Sequence, residues 1–195
     1  MLNLNLNLAA FAALNAGSHP QPAVANLAIF AAVWLVFIVP ALLLAVWFAG
    51  TRPVRRQAIA AGLAACVALL LAQLISSVWY SPRPFAIGLG TQLIPHAADG
   101  SFPSNHMTFV WSVASALWLS RSTRALGIAM AIDALLVAWG RVYAGVHWPL
   151  DMLGGVFTGT AGALLVRCYG GMLVARLERI GETLRMVVVG NLRGR

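Results

Sequence analysis

The chain has 195 residues, of which 61% are hydrophobic and 9% charged, and its formal net charge is +8. A soluble domain carries about 25% charged residues, so this composition, with a mean hydropathy of +0.83, excludes an ordinary soluble fold and indicates a chain embedded in a membrane. All 13 basic residues are arginine. In so apolar a chain they mark loops facing anionic lipid, and no nucleic-acid partner is expected.

The chain opens with alternating Leu and Asn and turns alanine-rich before Gly17. An open strand cannot sit in hydrocarbon, and the stretch lacks the positive n-region of a secretory signal. Residues 1–26 are therefore expected to hold a short interfacial helix. Apolar runs follow over Leu27–Phe48, Gln57–Trp79, Ser104–Ser120, Ala125–Gly140 and Pro149–Tyr169. Each approaches the ~20 residues that cross a bilayer as helix; the third and fourth are short, with ends in the headgroup region. The expected fold is all-α: a polytopic membrane helix bundle of about five transmembrane helices in one unit over 1–195. The tail, 174–195, repeats Leu177, Ile180, Leu184 and Val188 with arginines between, the spacing of a basic amphipathic helix on the cytoplasmic leaflet.

Cys66 and Cys168 belong to no disulfide or metal pattern and are read as buried inert thiols. Asp133 lies inside the fourth run, where a carboxylate is costly; a hydrogen bond between helices is the preferred account.

With the N-terminus outside, Arg52, Arg55, Arg56, Arg121, Arg124 and the C-terminal arginines fall on the cytoplasmic side, leaving Arg83 and Arg141 outside. The positive-inside rule favours this orientation and leaves those two arginines unexplained. The same outward side carries Ser81-Pro82-Arg83-Pro84-Phe85, then Pro103-Ser104-Asn105-His106, then Gly140-Arg141, His147 and Asp151. Arginine presents a planar fork of donors that matches phosphate oxygens. Ser104 is placed to cap one helix and Pro149 to open another, so both starts point free N–H groups at an anion. Asp151, four residues after His147, can fix one ring nitrogen and leave the other to attack phosphorus. His106 is then the acid for the leaving oxygen, and Asn105 joins Arg83, Ser104 and Arg141 as a phosphate-binding residue. Singly, such an arginine contacts lipid headgroups and such a histidine is interfacial; here all occupy one face in a fixed order.

These segments resemble the three-part signature of the type 2 phosphatidic acid phosphatase superfamily: Lys-x6-Arg-Pro, Pro-Ser-Gly-His and Ser-Arg-x5-His-x3-Asp. Arg83-Pro84 match the first part, Pro103, Ser104 and His106 the second, and Arg141, His147 and Asp151 the third. Ser76 stands at the lysine position, Asn105 replaces the glycine and Gly140 the serine. The resemblance implies a metal-independent phosphatase with no cofactor, His147 as nucleophile oriented by Asp151, His106 as acid, and Arg83, Ser104 and Arg141 on the phosphoryl oxygens.

The stretch from Leu93 to Ser104, with Pro82-Arg83-Pro84-Phe85, is similar to the bacitracin-resistance type of undecaprenyl-pyrophosphate phosphatase. That similarity implies a polyprenyl diphosphate lipid substrate converted to its monophosphate, in a bacterial plasma membrane, with the site facing the periplasm or exterior and the C-terminus in the cytoplasm. His96 and Asp99 then either shape the outer pocket or order its loop. Other lipid phosphates, such as phosphatidylglycerophosphate, phosphatidic acid or lipid A, fit the same motif. A small transporter or lipid-phosphate-binding protein is the alternative outside enzymes, with Gly154-Gly155, Gly159 and Gly162 as packing residues.

Overall fold

The computed structural model describes residues 2–193, with side chains over 5–187; Arg195 and the side chains of Val188 and Arg193, counted above in the tail, lie outside these. Eight α-helices follow one another: α1 Leu2–Leu14, α2 Pro22–Val33, α3 Ile38–Ala49, α4 Arg52–Val78, α5 Asn105–Trp118, α6 Arg124–Tyr143, α7 Pro149–Tyr169 and α8 Gly171–Arg193. The described residues contain no strand, as the all-α expectation required.

Four segments are long and apolar enough to cross a membrane: Pro22–Ala49, Arg52–Val78, Arg124–Tyr143 and Pro149–Tyr169. The chain is a multi-pass membrane protein. The remaining expected span, α5, has 14 helical residues, about 21 Å at 1.5 Å per residue. It is the central helix, packed against α4, α6 and α7.

The first span begins earlier than its apolar run and is broken. A 3-10 turn, Leu35–Phe37, separates α2 from α3. Pro40 accounts for the break, since it offers no N–H and its ring crowds the carbonyl of Val36. Proline also marks where helices begin, at Pro22, Pro53 and Pro149 in the first turns of α2, α4 and α7.

Small residues occupy the helix contacts. A Cβ on Gly155 would lie 2.7 Å from Cβ of Met107, and one on Gly162 2.8 Å from the Ala68 nitrogen. Gly140 is equally tight: a Cβ there would sit 2.7 Å from the Ala28 carbonyl oxygen and 2.8 Å from the Ala32 nitrogen. Close backbone approach is how helices associate where lipid is as apolar as leucine. Large side chains such as Leu70, Ile132, Leu135 and Phe157 point outward instead.

Two sequence expectations change and two gain detail. Cys66 and Cys168 are exposed on the outer surface of the bundle rather than buried. Asp133 is buried, but its Oδ2 has no hydrogen-bond partner among the described residues, where the interhelical bond expected of it is not formed. The tail helix begins at Gly171 and docks on α4 through Val174 and Glu178, both buried, because Glu178 and Glu182 pair with Arg52, Arg55 and Arg56. Finally, α1 is tied to the end of the bundle where α6 closes and α7 opens. Phe11 packs on Trp148 with ring centroids 5.0 Å apart, Asn15 donates to the carbonyls of Thr91 and Tyr143, and Asn7 accepts from the N–H of Leu150.

Candidate active site

The segments that carry the signature meet at one end of the bundle, where α4 and α6 finish and α5 and α7 begin. A cavity of about 250 Å³ opens there, lined by Arg83, Asn105, His106, Arg141 and His147 of the expected residues, and by Gln73, Ser76, His96, Asp99 and Gly100.

His147 follows the turn Ala144–Val146, where Gly145 takes φ +75° and its N–H bonds to the Val142 carbonyl. Only glycine adopts that conformation without strain, and a Cβ would also strike the Thr91 carbonyl oxygen. The imidazole is 2% exposed. Its Nδ1 lies 3.2 Å from Asp151 Oδ2 and 3.3 Å from Ser101 Oγ. Its Nε2 lies 3.0 Å from Nη1 of Arg83. Nη1 of Arg83, which can only donate, lies nearer Nε2 than Nδ1, at 3.0 Å against 3.4 Å, while the Asp151 carboxylate accepts at Nδ1; together they assign the proton to Nδ1 and the lone pair to Nε2. Burial holds His147 well below the ordinary imidazole value, and the charges of Arg141 and Arg83 push the same way.

Asp151 is fixed from three directions. Its Oδ2 accepts from the Trp148 backbone N–H at 2.7 Å, faces His147, and takes a close hydrogen bond from Ser101 Oγ. The first of these is the carboxylate half of a capping box at the start of α7. The carboxylate is thus both a helix cap and an orienting group for the imidazole.

The two arginines differ. Arg83, 5% exposed, is tied down: Nε donates to Asp99 Oδ1 at 2.8 Å, Nη1 to the Val146 carbonyl at 2.8 Å, and Nη2 to the Gly100 carbonyl at 3.2 Å. Burial works to raise the Asp99 carboxyl, but the hydrogen bond and charge of Arg83 outweigh it and keep it below the usual carboxylate range. Arg141, 3% exposed, has only long contacts from Nη1, 3.4 Å to the Ala32 carbonyl and 3.4 Å to His106 Nε2. Its Nε and Nη2 have no partner among the described residues. An unpaired buried guanidinium is costly, and an anion in the cavity would supply the missing acceptors.

Ser104 sits apart from the cavity lining. It is fully buried, and its hydroxyl accepts from the Met107 N–H at 3.5 Å as the N-cap of α5. The cap expected of it is present, whereas its side chain does not line the cavity. Asn105 and His106, on the first turn of α5, do. Ser76 occupies the wall where the signature lysine would stand; a Cβ on Gly100 would lie 3.0 Å from its hydroxyl. His96, its ring centroid 6.1 Å from that of His147, is held below its ordinary value by burial. Sequence reasoning missed Ser101, which no periodicity or spacing marks.

A sequence profile of the PAP2 superfamily matches residues 57–174, more than half of the chain. The chain belongs to the PAP2 superfamily. Among curated relatives of this PAP2 protein, YbjG of Escherichia coli K12, which carries a provisional undecaprenyl-diphosphatase name, is 39% identical over 160 residues, covering 82% of this chain and 80% of that one. BcrC of Bacillus subtilis strain 168, named an undecaprenyl-diphosphatase, is 34% identical over 149 residues, covering 76% of each chain. The crystal structure of LpxE from Aquifex aeolicus superposes with a TM-score of 0.66 at 24% identity, covering 84% of this chain and 96% of that one. At that identity the likeness establishes the shared fold alone.

Proposed function

We propose that this PAP2 protein hydrolyses a polyprenyl diphosphate, undecaprenyl diphosphate by the names of its relatives, to the monophosphate at the outer face of a bacterial plasma membrane, with the whole chain acting as one unit. One observation carries the reading. A histidine with Nδ1 held by a buried carboxylate faces a cavity in which an arginine keeps two unpartnered donors.

In the first step Nη1 of Arg83 passes from Nε2 of His147 to a phosphoryl oxygen, and the freed Nε2 attacks the terminal phosphorus. A P–N bond forms, the bond from phosphorus to the bridging oxygen breaks, and His106 protonates the departing polyprenyl monophosphate. Water then attacks the phosphohistidine, giving its proton to His106 and releasing inorganic phosphate and free His147. Arg141 and the N–H groups at the start of α5 stabilise charge on the transferring phosphoryl group. Asp151 keeps the attacking tautomer and stabilises the charge that develops on the ring. The arginine asymmetry supports the outward site and a cytoplasmic C-terminus.

The test is phosphate release from undecaprenyl diphosphate by the purified protein in detergent with EDTA, wild type beside His147→Ala. Release that survives the chelator and falls by about 10⁴-fold or more in the variant is expected. Retained activity in the variant would remove the nucleophile. Inertness of the wild type on this lipid but turnover of phosphatidic acid or phosphatidylglycerophosphate would move the substrate, not the chemistry.

A further inference from the structure

A second cavity, about 160 Å³, lies at the opposite end of the bundle, between the start of α4, the end of α5, the end of α7 and the start of α8. Arg56, Gln57 and Arg167 supply its polar wall, and Ala60, Ala163 and Val174 are among its apolar residues. Gly171 lines it too, and a Cβ there would meet nothing within 4 Å, so the space beside it is open.

Charge at this end is unbalanced. Its two carboxylates, Glu178 and Glu182, are shared among Arg52, Arg55, Arg56 and Arg185. Arg167 pairs with neither among the described residues; its Nη1 donates to the Leu119 carbonyl at 2.7 Å, leaving the rest of its fork uncommitted. Arg56 reaches Glu178 only at 3.5 Å. Two guanidinium groups and an amide over an apolar floor suit a phosphate group attached to an apolar body. The position, at the ends of membrane-crossing helices on the arginine-rich side, supplies such molecules at high local concentration.

We propose that this cavity is a second phosphate-recognising site, separate from the His147 cavity, which seats the headgroup of an anionic phospholipid and braces α8 against α4 and α7. Because Gly171 and Val174 of α8 form part of the wall, an occupied site holds the tail helix in its docked position.

The experiment is thermal unfolding and native mass spectrometry of the full chain in detergent with phosphatidylglycerol, phosphatidylcholine or inorganic phosphate added. Arg167→Gln and Gly171→Phe are the variants, the first removing the cation and the second filling the open space. Phosphatidylglycerol should stabilise the wild type and bind about tenfold more weakly to Arg167→Gln, the loss expected for a charge-assisted contact; phosphatidylcholine should do little. Detergent phosphatase activity should be unchanged in both variants, separating this site from the catalytic one. Arg167-dependent stabilisation by inorganic phosphate alone would support the phosphate chemistry and assign it to a free anion. Equal responses of wild type and both variants, or of the two lipids, would overturn the proposal.

Discussion

The two ends of the bundle use the same side chain in opposite ways. At one end Arg83 and Arg141 are 5% and 3% exposed, in a cavity with two histidines of the signature. At the other, Arg52 has a side chain 75% exposed and shares Glu178 with Arg56. Burying a guanidinium costs several kcal/mol unless it is paired, whereas an exposed arginine costs little and orients the chain in the membrane. Arginine count therefore reports topology, and the placement of Arg83 and Arg141 beside His106 and His147 reports chemistry.

That contrast can be tested at graded strength. The largest effect after loss of His147 itself should come from Asp151→Asn, which removes the charge that selects the tautomer; kcat is expected to fall about 10³- to 10⁴-fold, and near-normal turnover would separate the pair from catalysis. Next, Arg141→Gln should lower kcat/KM about 10²- to 10³-fold. It should also move the pH profile. His147 is held neutral below its ordinary value by burial first and then by Arg141 and Arg83, so the wild-type acid limb should lie below about pH 6.5. Removing one cation lets the ring protonate more readily, and the limb should rise. An unmoved limb would detach Arg141 from His147 electrostatically.

Ser101→Ala, which deletes the hydroxyl that bonds Asp151 and lies 3.3 Å from Nδ1 of His147, should cost about tenfold in kcat, measured beside an unchanged unfolding temperature. The smallest effect belongs to the opposite end. Arg52→Ala, which removes a largely exposed side chain and leaves Glu178 paired with Arg56, should destabilise the fold by no more than about 1 kcal/mol and leave kcat alone. A large loss of activity there would erase the distinction between the two ends.

Much of this architecture was legible in the sequence. Long apolar runs located the crossing helices, and fixed spacing placed His147 and Asp151 a helical turn apart, because both signals are local. The break at Leu35–Phe37 was legible in principle from Pro40, but a run read for hydrophobicity passes over it. Ser101 was not legible, since it meets Asp151 across a separation of 50 residues and serine is common in loops. Nor was the docking of α1: Phe11 looks like any apolar residue of an interfacial helix until Trp148 is brought to it. The docking of the tail was not legible for a related reason. Its arginines suggested a freely lying basic helix, while two glutamates at helical spacing held it to α4.

The close approach at Gly140 bears on what that position can hold. With glycine at that position α2 sits against α6, close enough for the Ala32 carbonyl to lie 3.4 Å from Nη1 of Arg141. A serine there would drive a side chain into the backbone of Ala28 and Ala32 and push out the helix that walls Arg141. Glycine at 140 and the seat of α2 are therefore coupled: α2 can wall Arg141 only while this position carries no side chain.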